Sequence, residues 1–482
     1  MSLNGAMSNA LGGLAVASRS AALVSSNISN ALTPGYGQRT LSVSSSSRSD
    51  MGGVQINGVV RRSNPALIAD RRGADAAAEG AGAMVAFAKE MERVFGDAVT
   101  GDTLSSAISN FDGALIMAAA DPSSQTRLAA LSASAHAMTQ KFNDMSDGIQ
   151  SARLQADTAI AQDVTTLNAG LQNIDRLNKQ IVKAQVLGQD TSSLEDQRHN
   201  QIDQISGIVP LQVIARDRGE VALFTMGGAA LLDGAPSEVQ FTAAQAIDAG
   251  STLNGGSLSG LAMNGIAHTA RDGGAFAGGT LMANFAIRDQ DAPALQQTLD
   301  AIALDLSDRF GSNGPDATLG ATDPGIFTDG GSLVNAVDEV GLSSRLSLNS
   351  DLEPGASTLW KWRDGLGANL PGAPGDGSLI GSLKKALHSS IPGASTSLPP
   401  GNHRLSDLSD GLLSDAAALR LGAEASQGVS ETRRAALVEL ELAEGVDTDA
   451  ELQTLILIEQ SYAANARVIT TVDEMLQRIL AI

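Results

Sequence analysis

Side chains able to do chemistry are scattered along this 482-residue chain rather than gathered. There is no cysteine, which removes disulfides, thiolate nucleophiles, iron–sulfur ligation and cysteine zinc sites together. The five histidines, His136, His199, His268, His388 and His403, stand far apart, and none lies in an HExxH pattern. Each reads as a surface or hydrogen-bonding residue. No serine has the GxSxG surround of a nucleophile elbow, and no lysine follows a glycine as a phosphate loop requires. The strings GLGANL and GDGSLIG miss GxGxxG, and the acidic stretch Asp316 to Asp329 lacks the spacing of a calcium loop. The reading is therefore of no catalytic residue, no cofactor and no metal ligand.

What does recur is apolar spacing at the two ends. Leu3, Met7, Ala10, Leu14, Ala17, Ala21, Val24 and Ile28 alternate steps of four and three, as the a and d positions of a coiled coil do. Leu455, Ile458, Tyr462, Asn465, Ile469, Val472, Leu476 and Ile479 repeat the pattern, with Asn465 the one polar member. A narrow apolar stripe cannot bury itself, so each helix needs a partner. One such helix alone would read as an amphipathic helix docked on a core. Matched seams at both ends point instead to each other, or to copies in neighbouring subunits. Asn465 fits a register-fixing seam position or a solvent-facing residue at its edge.

Stepping outward from these seams, Asn27 to Asn30 followed by Thr33-Pro34-Gly35-Tyr36 ends the first helix, because the residue before proline avoids the helical region and Pro-Gly favours a turn. Thr40 to Ser46 and Val54 to Val60 alternate weakly as extended segments. From about 62 to 206 the spacing is helical, with Asp121-Pro122 read as the N-cap and first position of a new helix that runs through Leu128 to Ile149, and with a further stretch placing Ile160 to Ile181 on one face. Between 207 and 280 the pattern turns strand-like, with Gly-rich turns. Residues 311–402, rich in Gly, Pro, Ser and Asp, hold Trp360 and Trp362 and read as irregular loops or a small inserted domain. Helical spacing resumes from Leu405, with a break near Gly445.

The fold class expected is mainly α with a smaller β-rich part, an α+β multidomain chain. An elongated long-helix bundle would carry paired N- and C-terminal coiled-coil helices and an inserted β-rich outer part. The divisions expected are 1–60 with 440–482 as the terminal coiled coil, ordering on assembly; 61–206 with 281–310 and 403–439 as the bundle; 207–280 as the β-rich outer domain; and 311–402 as the loop-rich insertion.

Composition agrees and excludes. Aromatics make up only 3% against 43% hydrophobic residues, which favours helices packed through small side chains. A net charge of -21, from 32 basic and 53 acidic residues, excludes nucleic acid as an expected partner. No apolar run of 18 residues occurs, so membrane insertion is not expected. The first 30 residues lack the basic and apolar regions of a secretory signal.

NISNALTPGYGQR, with Asn27, Asn30, Thr33, Pro34, Gly35 and Tyr36, resembles the post-helix signature of the flagellar axial proteins, the rod, hook and hook-associated family. SLEDQRHNQIDQISGIVPLQV is similar to the LxDQRDxLLxxLSxLV segment of its hook-associated branch, with His199 where the family usually carries aspartate. VDTDAELQTLILIEQSYAANARVITTVDEMLQRIL resembles the branch's C-terminal helix, and DPSSQTRLAALSASAHAMTQKFNDM its helix after a D-P turn. Together these cover the first 60 residues, about 100 to 210, and the last 40. The resemblance implies a structural, non-enzymatic subunit of the hook–filament junction. Such a subunit would be exported by the flagellar type III system and assembled as a ring through the seam and turn residues named above. It implies as partners further copies of itself, the hook protein, the second hook-associated junction protein, and an export chaperone on the C-terminal helix. Its location would be the extracellular flagellum, after a transient cytoplasmic stage. Other readings are a hook or rod subunit, or a type III-secreted helical effector or adhesin.

Overall fold

A computed structural model describes residues 3–33, 35–45, 53–96 and 101–480. The chain begins with helix α1 (Leu3–Ser29), an antiparallel ribbon β1 (Arg39–Ser45) and β2 (Val54–Arg61), and helix α2 (Pro65–Phe95). Asn64 opens α2 by accepting the Leu67 amide, with proline at the start where its missing N–H costs nothing. The strand expected to run to Ser46 is described as far as Ser45; Ser46 lies outside the described residues.

Helix α3 (Leu104–Ala120) is followed by α4 (Gln125–Val186), 62 residues without interruption and therefore about 93 Å long at 1.5 Å per residue. Two expectations are corrected here. The stripes at 128–149 and 160–181 belong to this one helix. Asp121 does not cap its start: it closes α3, its amide donating to Ala118 O, while its carboxylate accepts the Ser123 hydroxyl at 2.7 Å. That turn uses up Pro122, and α4 begins three residues later.

Helix α5 (Ser192–Ser206) folds back on α4. A four-stranded antiparallel sheet follows, in the order β3 (Leu211–Ala215), β4 (Val221–Thr225), β5 (Ala230–Asp233), β6 (Ala235–Pro236). Beside it stands a three-stranded sheet of β7 (Val239–Gln240), β8 (Leu261–Met263) and β9 (Ile266–His268). Ile160, Leu167 and Leu171 of α4, Ile202 and Ile205 of α5, and Leu223 and Leu231 form one core with α6 (Gly279–Ala286) through Leu281 and Phe285. Against α6 lies α2, so close that a Cβ on Gly80 would sit 2.8 Å from Gly279 O. Small residues thus set the helix spacing.

A π-turn at Ile287–Asp291 joins α6 to α7 (Ala292–Arg309). It carries Arg288 inward to a fully buried ion pair with Asp157 of α4 at 2.7 Å. Arg153, one turn earlier on α4, donates to Asp248 O at 2.8 Å and Ser251 O at 2.6 Å. These two guanidinium groups fasten the 241–260 loop to the long helix.

The segment after α7 is built of short pieces: β10 (Phe327–Asp329), α8 (Leu342–Arg345), β11 (Leu346–Leu348), α9 (Lys361–Asp364), α10 (Ser378–His388), β12 (Ile391–Pro392) and β13 (Asn402–His403). Its apolar residues enter the bundle's own core. Phe111 of α3 meets Phe310, Phe327 and Trp362 at ring-centroid distances of 5.9, 6.0 and 6.2 Å. Helix α11 (Leu405–Ala443) then runs along α2, and α12 (Thr448–Leu480) returns along α1. The fold is thus mainly α with a smaller β part, and the two terminal helices are paired.

Candidate assembly interface

Helices α1 and α12 lie along one another, and the pairing is thin. Ala10, Ala17, Val24 and Val472 are buried; Leu3, Leu14, Ala21, Ile28, Leu455, Ile458, Asn465, Ile469 and Leu476 are half-buried. Met7, Tyr462 and Ile479 stay exposed, the last at 58%. Asn465 packs over Gly13, where a Cβ would lie 2.7 Å from its amide nitrogen. That amide donates to Ser461 O of its own helix at 3.0 Å. Leu3, Ala6, Val468, Val472 and Met475 line an open groove of about 360 Å³ between the helices.

The turn after α1 is held by Asn27. Its amide donates to Arg39 O at 2.9 Å and to Glu451 Oε1 at 2.8 Å, and its oxygen accepts the Arg39 amide at 3.0 Å and the Tyr36 hydroxyl at 2.9 Å. A carboxamide offers two donors and two acceptors, so Asn27, 1% exposed, is fully satisfied. Glu451, at the start of α12, also accepts Gln38 Nε2 at 2.8 Å. Asn30 donates to Ser26 O at 2.9 Å and accepts Thr33 Oγ1 at 3.4 Å. Pro34 lies outside the described residues. Gly35 has φ +76°, and a Cβ there would fall 2.0 Å from Asn200 Oδ1, so both conformation and space require glycine.

The turn rests on α5, and the contact joins two stretches that look unrelated in sequence. Asp196 accepts Arg39 Nη2 at 2.6 Å and Arg61 Nε at 2.7 Å, and Gly37 N at 3.4 Å. Arg39 also lies over the Tyr36 ring, 4.8 Å from its centroid, and Arg61 donates to Gly35 O at 3.1 Å. One turn on, His199 sits between Arg61 Nη1 at 3.5 Å and Arg72 Nη2 at 3.3 Å. Burial first, then the charges of Arg61 and Arg72, push its pKa down to about 3, so it is neutral. Asp203 accepts Arg72 Nε at 2.6 Å and Arg71 Nη2 at 2.8 Å, and Arg71 pairs further with Glu441 of α11.

Arg39, Gln38, Arg61, Arg71, Arg72, Asp196, Asp203, Glu441 and Glu451 were not among the residues singled out by spacing. The partners that join them across the fold lie 131 to 424 positions away, as in Arg72 to Asp203 and Glu451 to Asn27, and apolar spacing does not mark them. Among the described residues no group of three or more His, Asp or Glu is placed to hold a metal ion, and no helix is long and apolar enough to cross a membrane. The arrangement is one of donors, acceptors and open apolar stripe, suited to joining surfaces.

Residues 88–314 match the family model of the flagellar hook-associated protein FlgK helical domain, and residues 443–482 that of the flagellar basal body rod FlgEFG protein C-terminal segment. The second match is α12 itself. Among solved structures the chain is similar to the flagellar hook junction protein FlgK from Burkholderia pseudomallei, at 18% identity and a TM-score of 0.46 over 55% of this chain. The likeness spans 47% of that chain, about half its length. No curated protein matches the chain. The chain thus joins a helical bundle, similar to the FlgK helical domain from the second half of α2 through α7, to a terminal helix similar to the rod-protein C-terminal segment.

Proposed function

We propose that the chain is a structural, non-catalytic subunit of the bacterial flagellum, stationed at the hook–filament junction. The observation that carries this reading is that α12, the helix of the rod-protein C-terminal type, closes on α1 while leaving apolar side chains of both uncovered. Met7, Leu11, Ile456, Leu457, Met475 and Ile479 all stand in solvent, between 38% and 64% exposed. Copies of the same pair, stacked into a ring, would cover them. The seam residues and the Asn27–Tyr36 turn are the proposed assembly interface. Their proposed neighbours are the hook protein below, the second hook-associated protein above, and an export chaperone on α12 before the chain leaves the cytoplasm through the type III channel. Immunogold labelling of intact flagella tests this: a single band at the hook tip is expected. Label along the rod or the hook shaft would replace this reading with that of a rod or hook subunit, which the match at 443–482 alone would also fit.

A further inference from the structure

We infer that Asp196, with Arg39 and Arg61, forms an electrostatic joint that fixes the angle at which the α1/α12 pair leaves the bundle. Neither apolar core of the molecule contains a residue of α1, β1, β2 or α12. The chain crosses between the terminal pair and the bundle twice, and each crossing is tied by polar contacts. At the first, both oxygens of Asp196 are engaged by guanidinium groups from the two strands of the ribbon, at 2.6 and 2.7 Å. At the second, Arg71 pairs with Glu441, and Asn64 Nδ2 donates to Glu444 Oε1 at 3.2 Å.

The geometry makes Asp196 the keystone. One carboxylate holding two strands through separate oxygens fixes their direction as well as their distance, because charge-assisted bonds to guanidinium are directional. The side chains of Arg39, Arg61 and Asp196 are 15%, 8% and 13% exposed, so dilute salt screens this joint less than a surface pair and molar salt is needed to weaken it. Removing the negative charge leaves Arg39 and Arg61 facing each other beside Arg72, with His199 neutral and Asp203 the remaining acid facing that cluster from α5. Repulsion would then open the joint, while the α1/α12 seam and the Asn27–Glu451 bond, which do not involve Asp196, would hold the pair together. These are positioning residues. The inference rests on the reading of the terminal pair as the assembly element only in its consequence: a fixed angle presents the open stripe in one direction.

The absence of native cysteine allows a clean test in the full chain. Spin labels at Ser18→Cys on α1 and Gln172→Cys on α4, both exposed positions, report the joint; labels at Ser18→Cys and Gln460→Cys report the pair itself. The expected result is a narrow Ser18–Gln172 distance distribution that broadens at least twofold with Asp196→Asn, and also broadens in the unaltered chain at 1 M salt, where the screening length is about 3 Å. The Ser18–Gln460 distribution stays narrow in both. Equal Ser18–Gln172 widths with and without Asp196, broad or narrow, overturn the inference, and so does broadening of the Ser18–Gln460 control. Salt gives the same readout without a substitution, should Asp196→Asn fail to fold. All of this is read in the free chain, so it stands apart from where labelled flagella place the protein.

Discussion

Asn27 and Glu451, 424 positions apart in the chain, share a buried hydrogen bond of 2.8 Å that ties the end of α1 to the beginning of α12. The terminal seam is therefore fixed at this end by a side-chain bond. At the fixed end a saturated carboxamide sets the register; at the other, Leu3 and Met475 border an open groove.

Truncating that carboxamide leaves Glu451, the Tyr36 hydroxyl and Arg39 O short of a partner. Asn27→Ala is expected to destabilise the terminal pair by about 1–3 kcal/mol, the usual cost of stranding buried polar groups. Tyr36→Phe removes the hydroxyl's bonds to Asn27 and Ser26 but keeps the ring beneath Arg39, and is expected to cost about 1 kcal/mol. Amide exchange of residues 10 to 29 measures both. A larger effect for Tyr36→Phe than for Asn27→Ala would remove Asn27 from its central place.

Protonation supplies a second expectation. His199 is neutral in the folded joint with a pKa of about 3, against an ordinary 6.5 when exposed. Below pH 6.5 the unfolded or opened form takes up a proton that the closed form refuses. Stability is thus complete above pH 6.5 and falls as pH drops toward 3, by roughly 3 kcal/mol at pH 4 if each pKa unit is worth about 1.4 kcal/mol. His199→Gln should flatten this slope relative to the unaltered chain in denaturation midpoints taken from pH 7 to pH 4. Parallel slopes would place His199 in solvent.

Assembly is expected to fail before folding does. Leu14→Asp and Ile469→Asp place a charge on a stripe that is half-buried in the single chain and that the proposed stacking would bury further. Cells carrying either change should lose motility and normal filaments, while the isolated proteins keep the thermal transition of the bundle. Normal filaments in either strain would refute the seam as the assembly surface.

Legibility in the sequence followed from how local each feature is. The seams could be read because the period of a coiled coil is a property of neighbours three and four apart, and the mainly α class followed from the same spacing. The continuity of α4 could not, since the apolar stripe ending at Ile149 and the one starting at Ile160 read as separate stretches. In the fold Gly148 makes room for Val94, a Cβ there falling 2.6 Å from its methyl groups, and Asp157 is spent on Arg288. NISNALTPGYGQR and SLEDQRHNQ each stood out as a motif. That Asp196 and Asn200 of one seat Arg39 and Gly35 of the other is a property of the folded chain, carried by pairs more than 150 positions apart.

The aromatic cluster around Phe111 decides how residues 311–402 unfold. Phe111 of α3, Phe310 at the end of α7, Phe327 of β10 and Trp362 of α9 are each 1% exposed or less and lie ring against ring. Because bundle and insertion contribute to one core, Phe111→Ala should weaken both, by about 3–5 kcal/mol. The chain's two tryptophans, Trp360 and Trp362, both lie in the insertion, so their fluorescence follows that segment while far-ultraviolet dichroism follows the helices. The two signals are expected to share one denaturant midpoint in the unaltered chain and to move down together in Phe111→Ala. A fluorescence transition that separates from the helical one, or that ignores the substitution, would mean that the insertion is an independent unit resting on the bundle.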